Sequence, residues 1–230
     1  MALIIPFVLQ LEAVYSAVVI ALCVFIYLRT KELYDLTRHE GIRYFRNTFL
    51  YFAVAYFFRF LFFPLQIVNL RYHLIYPRML HFLTLLLTTY FSIVAIFSLS
   101  LSILWKLNKS KHSELLIHGA AIILGVLVYM TGSAMILIAA QIAVFGFVIG
   151  FSLNKLKESK SRLLSSLHLI YLLLFVFWIL NLFGLALPGF HVFNRVIIYL
   201  ISVGIFIVVL LKVQKAEADG KKKRKVRSNI

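Results

Sequence analysis

The chain has 230 residues, of which 63% are hydrophobic and only 14% charged, and its formal net charge is +16. A water-soluble domain carries about 45–50% apolar and about 25% charged residues, so a soluble globular protein of this length is excluded as the expected class. Nucleic acid is the first partner a soluble protein this basic suggests, but here the positive charge lies between apolar runs and in the C-terminal tail, where it reads as membrane topology.

Apolar runs long enough to cross the ~30 Å hydrocarbon layer as helices recur along the sequence. The first spans residues 3–28. It lacks a basic n-region and a small-residue cleavage site, so it is expected to be a retained helix and not a signal peptide. The second spans about 47–70 and the third about 77–105, with Pro77 suited to a first helical turn. The fourth spans about 114–130, with Ser113 as N-cap and Glu114 in the first turn. The fifth covers about 133–154 and the sixth about 163–187, stopped by Pro188-Gly189. The seventh covers about 194–213, capped by Asn194. The runs are apolar on all sides, which disfavours a membrane β-barrel with its alternating pattern.

The basic residues sort by connection. Arg29, Lys31, Arg38, Arg43 and Arg46 lie in the first, Lys106, Lys109 and Lys111 in the third. Lys155, Lys157, Lys160 and Arg162 lie in the fifth, and Lys212, Lys215, Lys221, Lys222, Lys223, Arg224, Lys225 and Arg227 follow the seventh run. The intervening connections hold Arg71, Arg78 and Arg195, and Arg59 falls inside a run. Thus 20 of the 24 Lys and Arg fall on one side and 3 on the other. By the positive-inside rule this alternation predicts an all-α integral membrane protein with seven transmembrane helices, N-terminus outside and C-terminus cytoplasmic, multi-pass in the cell membrane. Residues 1–213 form the transmembrane domain and 214–230 a basic tail expected to be disordered and drawn to anionic lipid. Helices one to three and five to seven share a layout, which suggests a 3+1+3 plan.

The first cytoplasmic connection contains Thr37-Arg38-His39-Glu40, a capping-box pattern, followed by Gly41. Partial helix is expected there, with Leu33, Leu36, Ile42 and Phe45 facing lipid or the bundle. A simple helix-to-helix turn is the alternative.

Two ionisable residues stand in the membrane core, Glu12 and Arg59, where a charge costs at least ~2.5–3.5 kcal/mol and is kept by pairing or function. At 1.5 Å per residue they lie about 24 and 18 Å from the cytoplasmic ends of their helices, close enough to pair between antiparallel neighbours. The alternative to a functional site is an ion pair that fixes helix register. Gln66 shares the face of Arg59 seven residues on. His81, Thr84, Thr88 and Ser92 make a polar stripe on the third helix, whose plainer role is helix packing. Gln141, Asn181, Tyr199 and Ser202 complete a candidate outward-facing ligand pocket. Gly146 and Gly150 form GxxxG, expected to serve intrachain packing. His118 and His168 are expected at cytoplasmic helix ends, as hydrated residues or as a proton relay. Most of the 22 Phe and 12 Tyr are expected against lipid or in the interfacial belts.

Catalytic motifs are lacking: no GxSxG, HExxH or phosphate-binding Gly loop occurs, and no pair of intramembrane aspartates. One cysteine, Cys23, excludes an intrachain disulfide, and no CxxC spacing suggests a metal. Lys212 sits at the end of the seventh run, so there is no retinal-attachment lysine, and any cofactor is unknown. No enzyme activity is expected.

The stretch from Glu32 to Asn47, continuing through Phe49 to Arg59, resembles uncharacterised prokaryotic, especially archaeal, seven-helix membrane proteins. It is also similar to the seven-helix sensory module that precedes some histidine kinases. That resemblance implies a sensor or scaffold, and the lack of a kinase domain implies a separate cytoplasmic signalling partner. A sensory or regulatory module is the leading expectation. A small-solute transporter with a site near Glu12 and Arg59, or a structural or assembly protein, are the alternatives.

Overall fold

The computed structural model describes residues 4–72, 77–104, 113–131, 139, 141–146, 149–150, 169–180 and 192–228. They are all helical apart from the turn at Arg38-His39. In chain order the helices are α1 (Ile4–Thr37), α2 (Glu40–Tyr72), α3 (Pro77–Leu104), α4 (Ser113–Thr131), α5 (141–146), α6 (Leu169–Leu180) and α7 (Val192–Ser228). Three stretches among the described residues are long and apolar enough to cross a membrane: Gln10–Thr37, Leu86–Ile103 and Asn194–Lys221. At 33 residues α2 is as long, but Glu40, Arg43, Arg46 and Arg59 dilute its apolar character.

Interhelical contacts set the relative directions. Glu12 meets Arg59 and Tyr15 meets Tyr56, while Arg46 lies over the Tyr27 ring, so α1 and α2 form an antiparallel hairpin. Tyr15 stacks on Tyr199, Arg29 reaches Glu217 and Glu32 reaches Lys221, so α1 and α7 run parallel. Phe45 touches Tyr171 and Phe52 touches Trp178, so α2 and α6 are parallel too. α1 and α7 therefore run one way and α2 and α6 the other. Arg29, Arg43, Arg46 and Lys221 gather at one end of the bundle, with Glu12 and Arg59 toward the other.

The core is aromatic. Phe45, Phe49 and Phe52 recur on α2 at i, i+4 and i+7, one helical face, and meet Phe206 of α7 and Trp178 of α6 edge-on or tilted. Phe49, Phe52, Phe145, Phe177 and Phe206 are fully buried. Most Phe and Tyr were expected against lipid or in the belts; these five rings, with Tyr15, Tyr56 and Tyr171, are among the exceptions. A smaller cluster of Ile93, Val94, Ile117 and Ala121 joins α3 to α4. Buried hydroxyls are absorbed locally: Thr30, Thr48 and Ser100 donate to carbonyls four residues back at 2.7–3.0 Å, and Ser102 also bonds the Tyr171 hydroxyl at 2.7 Å.

Three expectations change. The first connection, expected as partial helix with a simple turn as the alternative, is helix on both sides of a two-residue turn, because α1 runs on to Thr37 and α2 begins at Glu40. Its capping box is not used: the Thr37 hydroxyl donates back to the Leu33 carbonyl at 2.9 Å, and the His39 carbonyl accepts from Ile42 at 2.9 Å. Arg38 takes the left-handed conformation, φ 51°, and its N–H closes on the Tyr34 carbonyl at 2.7 Å, an αL helix stop without its usual glycine. Second, the tail beyond Val213 is helical through Ser228. Third, Gly146 and Gly150 are exposed, and a Cβ on either would meet no described atom within 4 Å, so among the described residues GxxxG brings no helices together.

A left-handed non-glycine residue carries a steric cost that glycine lacks. Arg38→Gly is expected to stabilise the protein by about 0.5–1 kcal/mol and Arg38→Val to destabilise it. Thermal unfolding in detergent measures both, and no difference between the two variants would show that the turn is unstrained.

Candidate functional site

The site begins with a helical spacing. Tyr15 follows Glu12 by three residues on α1, and Tyr56 precedes Arg59 by three on α2, so each aromatic shares a face with a charge. Antiparallel packing brings the two faces together. The Arg59 guanidinium donates to the Glu12 carboxylate and lies 5.8 Å from the centre of the Tyr56 ring. The Tyr15 and Tyr56 hydroxyls are 3.3 Å apart. From α7, Tyr199 stacks flat on Tyr15, centroids 4.1 Å apart. Ser202, one turn further along α7, is fully buried.

The cluster therefore joins three helices through one charge pair and three phenols. The carboxylate and guanidinium cancel in net charge, and Tyr56 adds a π-face under the cation. Glu12 is 19% exposed and Arg59 31%, so the pair is reachable from one side, while Tyr15 and Tyr56 beneath it are buried and Tyr199 is half-buried.

The sequence-predicted residues divide. Glu12, Arg59 and Tyr199 come together, and Ser202 lies on the Tyr199 face. Thr84 and Thr88 are half-buried on α3, near Phe91, which stacks on Phe58, the neighbour of Arg59. The buried polar positions on that helix are Thr89, Ser92, Ser98, Ser100 and Ser102. Gln141 is buried on α5, a turn before Phe145, and Phe145 touches Trp178. Gln66 falls on α2 and His81 on α3, while Asn181 and His168 lie outside the described residues. His118 is bonded to the Tyr90 hydroxyl at 2.7 Å and meets the Tyr51 ring edge-on, so it is a packed interhelical residue and not simply hydrated. Several buried polar atoms have no hydrogen-bond partner among the described residues: Ser16 Oγ, Ser202 Oγ, Trp178 Nε1 and both amide atoms of Gln141.

Tyr15 and Tyr56 went unrecognised in sequence because tyrosine in a membrane helix suggests the interface. Their i, i+3 spacing from Glu12 and Arg59 was the available signal. A second charged feature also went unrecognised. At the basic end, Arg29, Glu217, Lys221 and Glu32 alternate in sign around a closed ring. Arg29 lies 3.6 Å from Glu32 and 3.8 Å from Glu217, and Lys221 lies 2.8 Å from Glu32 and also binds Glu217. Among the described residues no group of three or more His, Cys, Asp or Glu stands ready to hold a metal.

The chain is similar to an uncharacterized protein of Archaeoglobus fulgidus, with 28% identity over 210 residues covering 88% of this chain and 90% of that one. No family model and no solved structure matches.

A carboxylate–guanidinium pair this shielded is stabilising only while both partners are present. Glu12→Gln and Arg59→Met are each expected to cost about 1.5–3 kcal/mol, and the double substitution is expected to recover at least half of the summed loss. Thermal unfolding of the four proteins in one detergent gives the coupling, and strict additivity would mean that the two side chains do not interact in the folded protein.

Proposed function

We propose that this chain is a seven-span membrane protein, N-terminus outside and basic end cytoplasmic, acting as a sensory or regulatory module through a separate cytoplasmic partner. The observation that carries this reading is the α1–α7 pair. The two helices run parallel and unbroken from the Glu12–Arg59–Tyr199 cluster to the Arg29–Glu32–Glu217–Lys221 ring. From Glu12 to Glu32 is 20 residues, about 30 Å of helix, and from Tyr199 to Lys221 is 22, about 33 Å. A change at the outer cluster that shifts α7 against α1 is thereby delivered to the cytoplasmic side by two stiff rods. Support for the topology comes from the alternating helix directions and from the gathering of basic residues at one end. The resemblance of residues 32–59 to a seven-helix sensory module points the same way.

A small-solute transporter is the second reading, favoured by the unpartnered polar atoms of Ser16, Ser202, Trp178 and Gln141, which suit a hydrated interior. Against it, α1, α2 and α7 stay helical at the level of the ion pair, α2 even through Pro64, whereas transporter sites favour broken helices.

Spin labels at Lys31→Cys and Lys215→Cys, in a Cys23→Ala background in lipid discs, read the basic end directly. Glu12→Gln is expected to shift or broaden the label–label distance distribution relative to the parent. An unchanged distribution in a folded Glu12→Gln protein would sink the sensor reading and leave the pair a packing device. A C-terminal reporter active only outside the cytoplasm would overturn the orientation.

A further inference from the structure

Tyr27, Lys31 and Tyr34 follow one another at i, i+4 and i+7 on α1 and so share one helical face. The two tyrosines are about 10.5 Å apart along the axis. Arg46 enters between them from α2. Its guanidinium carbon lies 5.5 Å from the centre of the Tyr27 ring and 5.4 Å from that of Tyr34. The stem of Lys31 leaves α1 between the same two rings. Each ring offers its face to the cation, which attracts it without neutralising it.

Two cations therefore share this face, and no acid matches them. Arg29, Arg43 and Arg59 each meet a carboxylate. Among the described residues none comes within ion-pair distance of Arg46 or Lys31. Glu32 is engaged by Arg29 and Lys221, and Asp35, exposed one turn after Lys31, pairs with neither cation. The Arg46 guanidinium reaches one side-chain acceptor, the neutral Asn47 Oδ1 at 3.5 Å, and its Nε is buried without a partner. Arg46 itself is half-buried. A shielded guanidinium with five N–H donors and no counter-anion is costly, and an oxyanion removes that cost.

We infer that Arg46 and Lys31, flanked by Tyr27 and Tyr34, form a binding site for a terminal phosphate, either inorganic phosphate or the monoester headgroup of a lipid. The charge matches: a phosphomonoester carries about −1.5 to −2 at neutral pH and three terminal oxygens. Two of those oxygens can take the planar fork of Arg46, and the third lies out of that plane for the Lys31 ammonium. A carboxylate would spend both oxygens on the fork and bring a single charge. The lipid source rests on the membrane-spanning arrangement proposed above. In it, Tyr27 and Arg46 adjoin the ends of two apolar runs, at the level of the headgroups. The soluble source does not need that arrangement.

The test uses the full chain in maltoside micelles, which contain no phosphate. Native mass spectrometry is expected to show retained phosphatidic acid in preference to phosphatidylglycerol, a singly charged diester, and to neutral galactosyl diglyceride. Thermal unfolding in inorganic phosphate, against chloride and acetate at equal ionic strength, reads the soluble source. Retention of phosphatidic acid without a response to inorganic phosphate assigns the site to lipid, and the reverse assigns it to soluble phosphate. R46Q/K31Q is expected to weaken the binding about tenfold or more. K31Q alone, at an exposed position that leaves the fold intact, is expected to weaken it about threefold. Binding of neither probe, equal binding of phosphatidylglycerol or acetate, or undiminished binding in both variants would overturn the inference. None of these readouts uses Glu12 or Arg59, so they succeed or fail separately from the spin-label comparison.

Discussion

A helix packed in apolar surroundings satisfies its own backbone but not its side-chain charges, and that constraint organises the bundle around α1. Glu12 toward one end of α1 needs a cation and finds Arg59 on α2. Arg29 and Glu32 toward the other end find Glu217 and Lys221 on α7. Sliding either neighbour by one turn, about 5.4 Å, would separate these partners and strand a shielded charge. The two electrostatic contacts therefore fix the register of α1 against both neighbours, and the rest of the packing is built on that register.

Apolar burial alone cannot do this, because it is non-directional and only contact geometry discriminates between arrangements. The core answers with rings. Phe45, Phe49 and Phe52 present edges and faces to Tyr171, Trp178 and Phe206, at centroid separations of 6.0–6.4 Å, within the range where aromatic pairs have an orientational preference. Tyr15 stacked on Tyr199 continues the series to the level of the ion pair. Thr30, Thr48 and Ser100 turn their hydroxyls onto their own helices and so carry polarity without demanding a partner elsewhere.

The helical class and the positions of α1 to α4 and α7 were legible because a helix long enough to span a membrane needs about 20 apolar residues in a row and charges mark its ends. The start of α3 at Pro77 was legible from proline chemistry alone. The pairing of Glu12 with Arg59 was accessible because helix rise converts sequence distance into depth. Other features were not, for identifiable reasons. Charged residues after Leu28 and Val213 signal the end of an apolar run but not of a helix, since Lys, Glu, Gln and Ala are good helix formers. Hence α1 continued to Thr37 and α7 to Ser228. The Thr37-to-Glu40 pattern suggested a helix start, yet His39 serves as the cap, because a local motif is silent about how far the preceding helix extends. Side-chain facing within an all-apolar run has no periodicity to read, so the buried Phe and Tyr could not be separated from those facing lipid.

The extension of α1, α2 and α7 past the apolar runs changes what the basic residues mean. Counted as a loop, Arg29 to Arg46 serves only topology. Built as helix, the same residues acquire fixed partners: Arg29 with Glu217, Arg43 with Glu114 at 3.2 Å, and Arg46 over Tyr27 and Tyr34. α1 at 34 residues and α7 at 37 are about 51 and 56 Å long, against a full bilayer of about 40–45 Å. The surplus is a short helical stalk, stapled by charges that face one another and not the lipid. A protein that needed only to be anchored would gain nothing from ordering these residues, each of which costs about 1–2 kcal/mol of backbone entropy. The ion pairs and the contacts of Arg46 with two tyrosine rings, made at this end of the bundle, offset that cost.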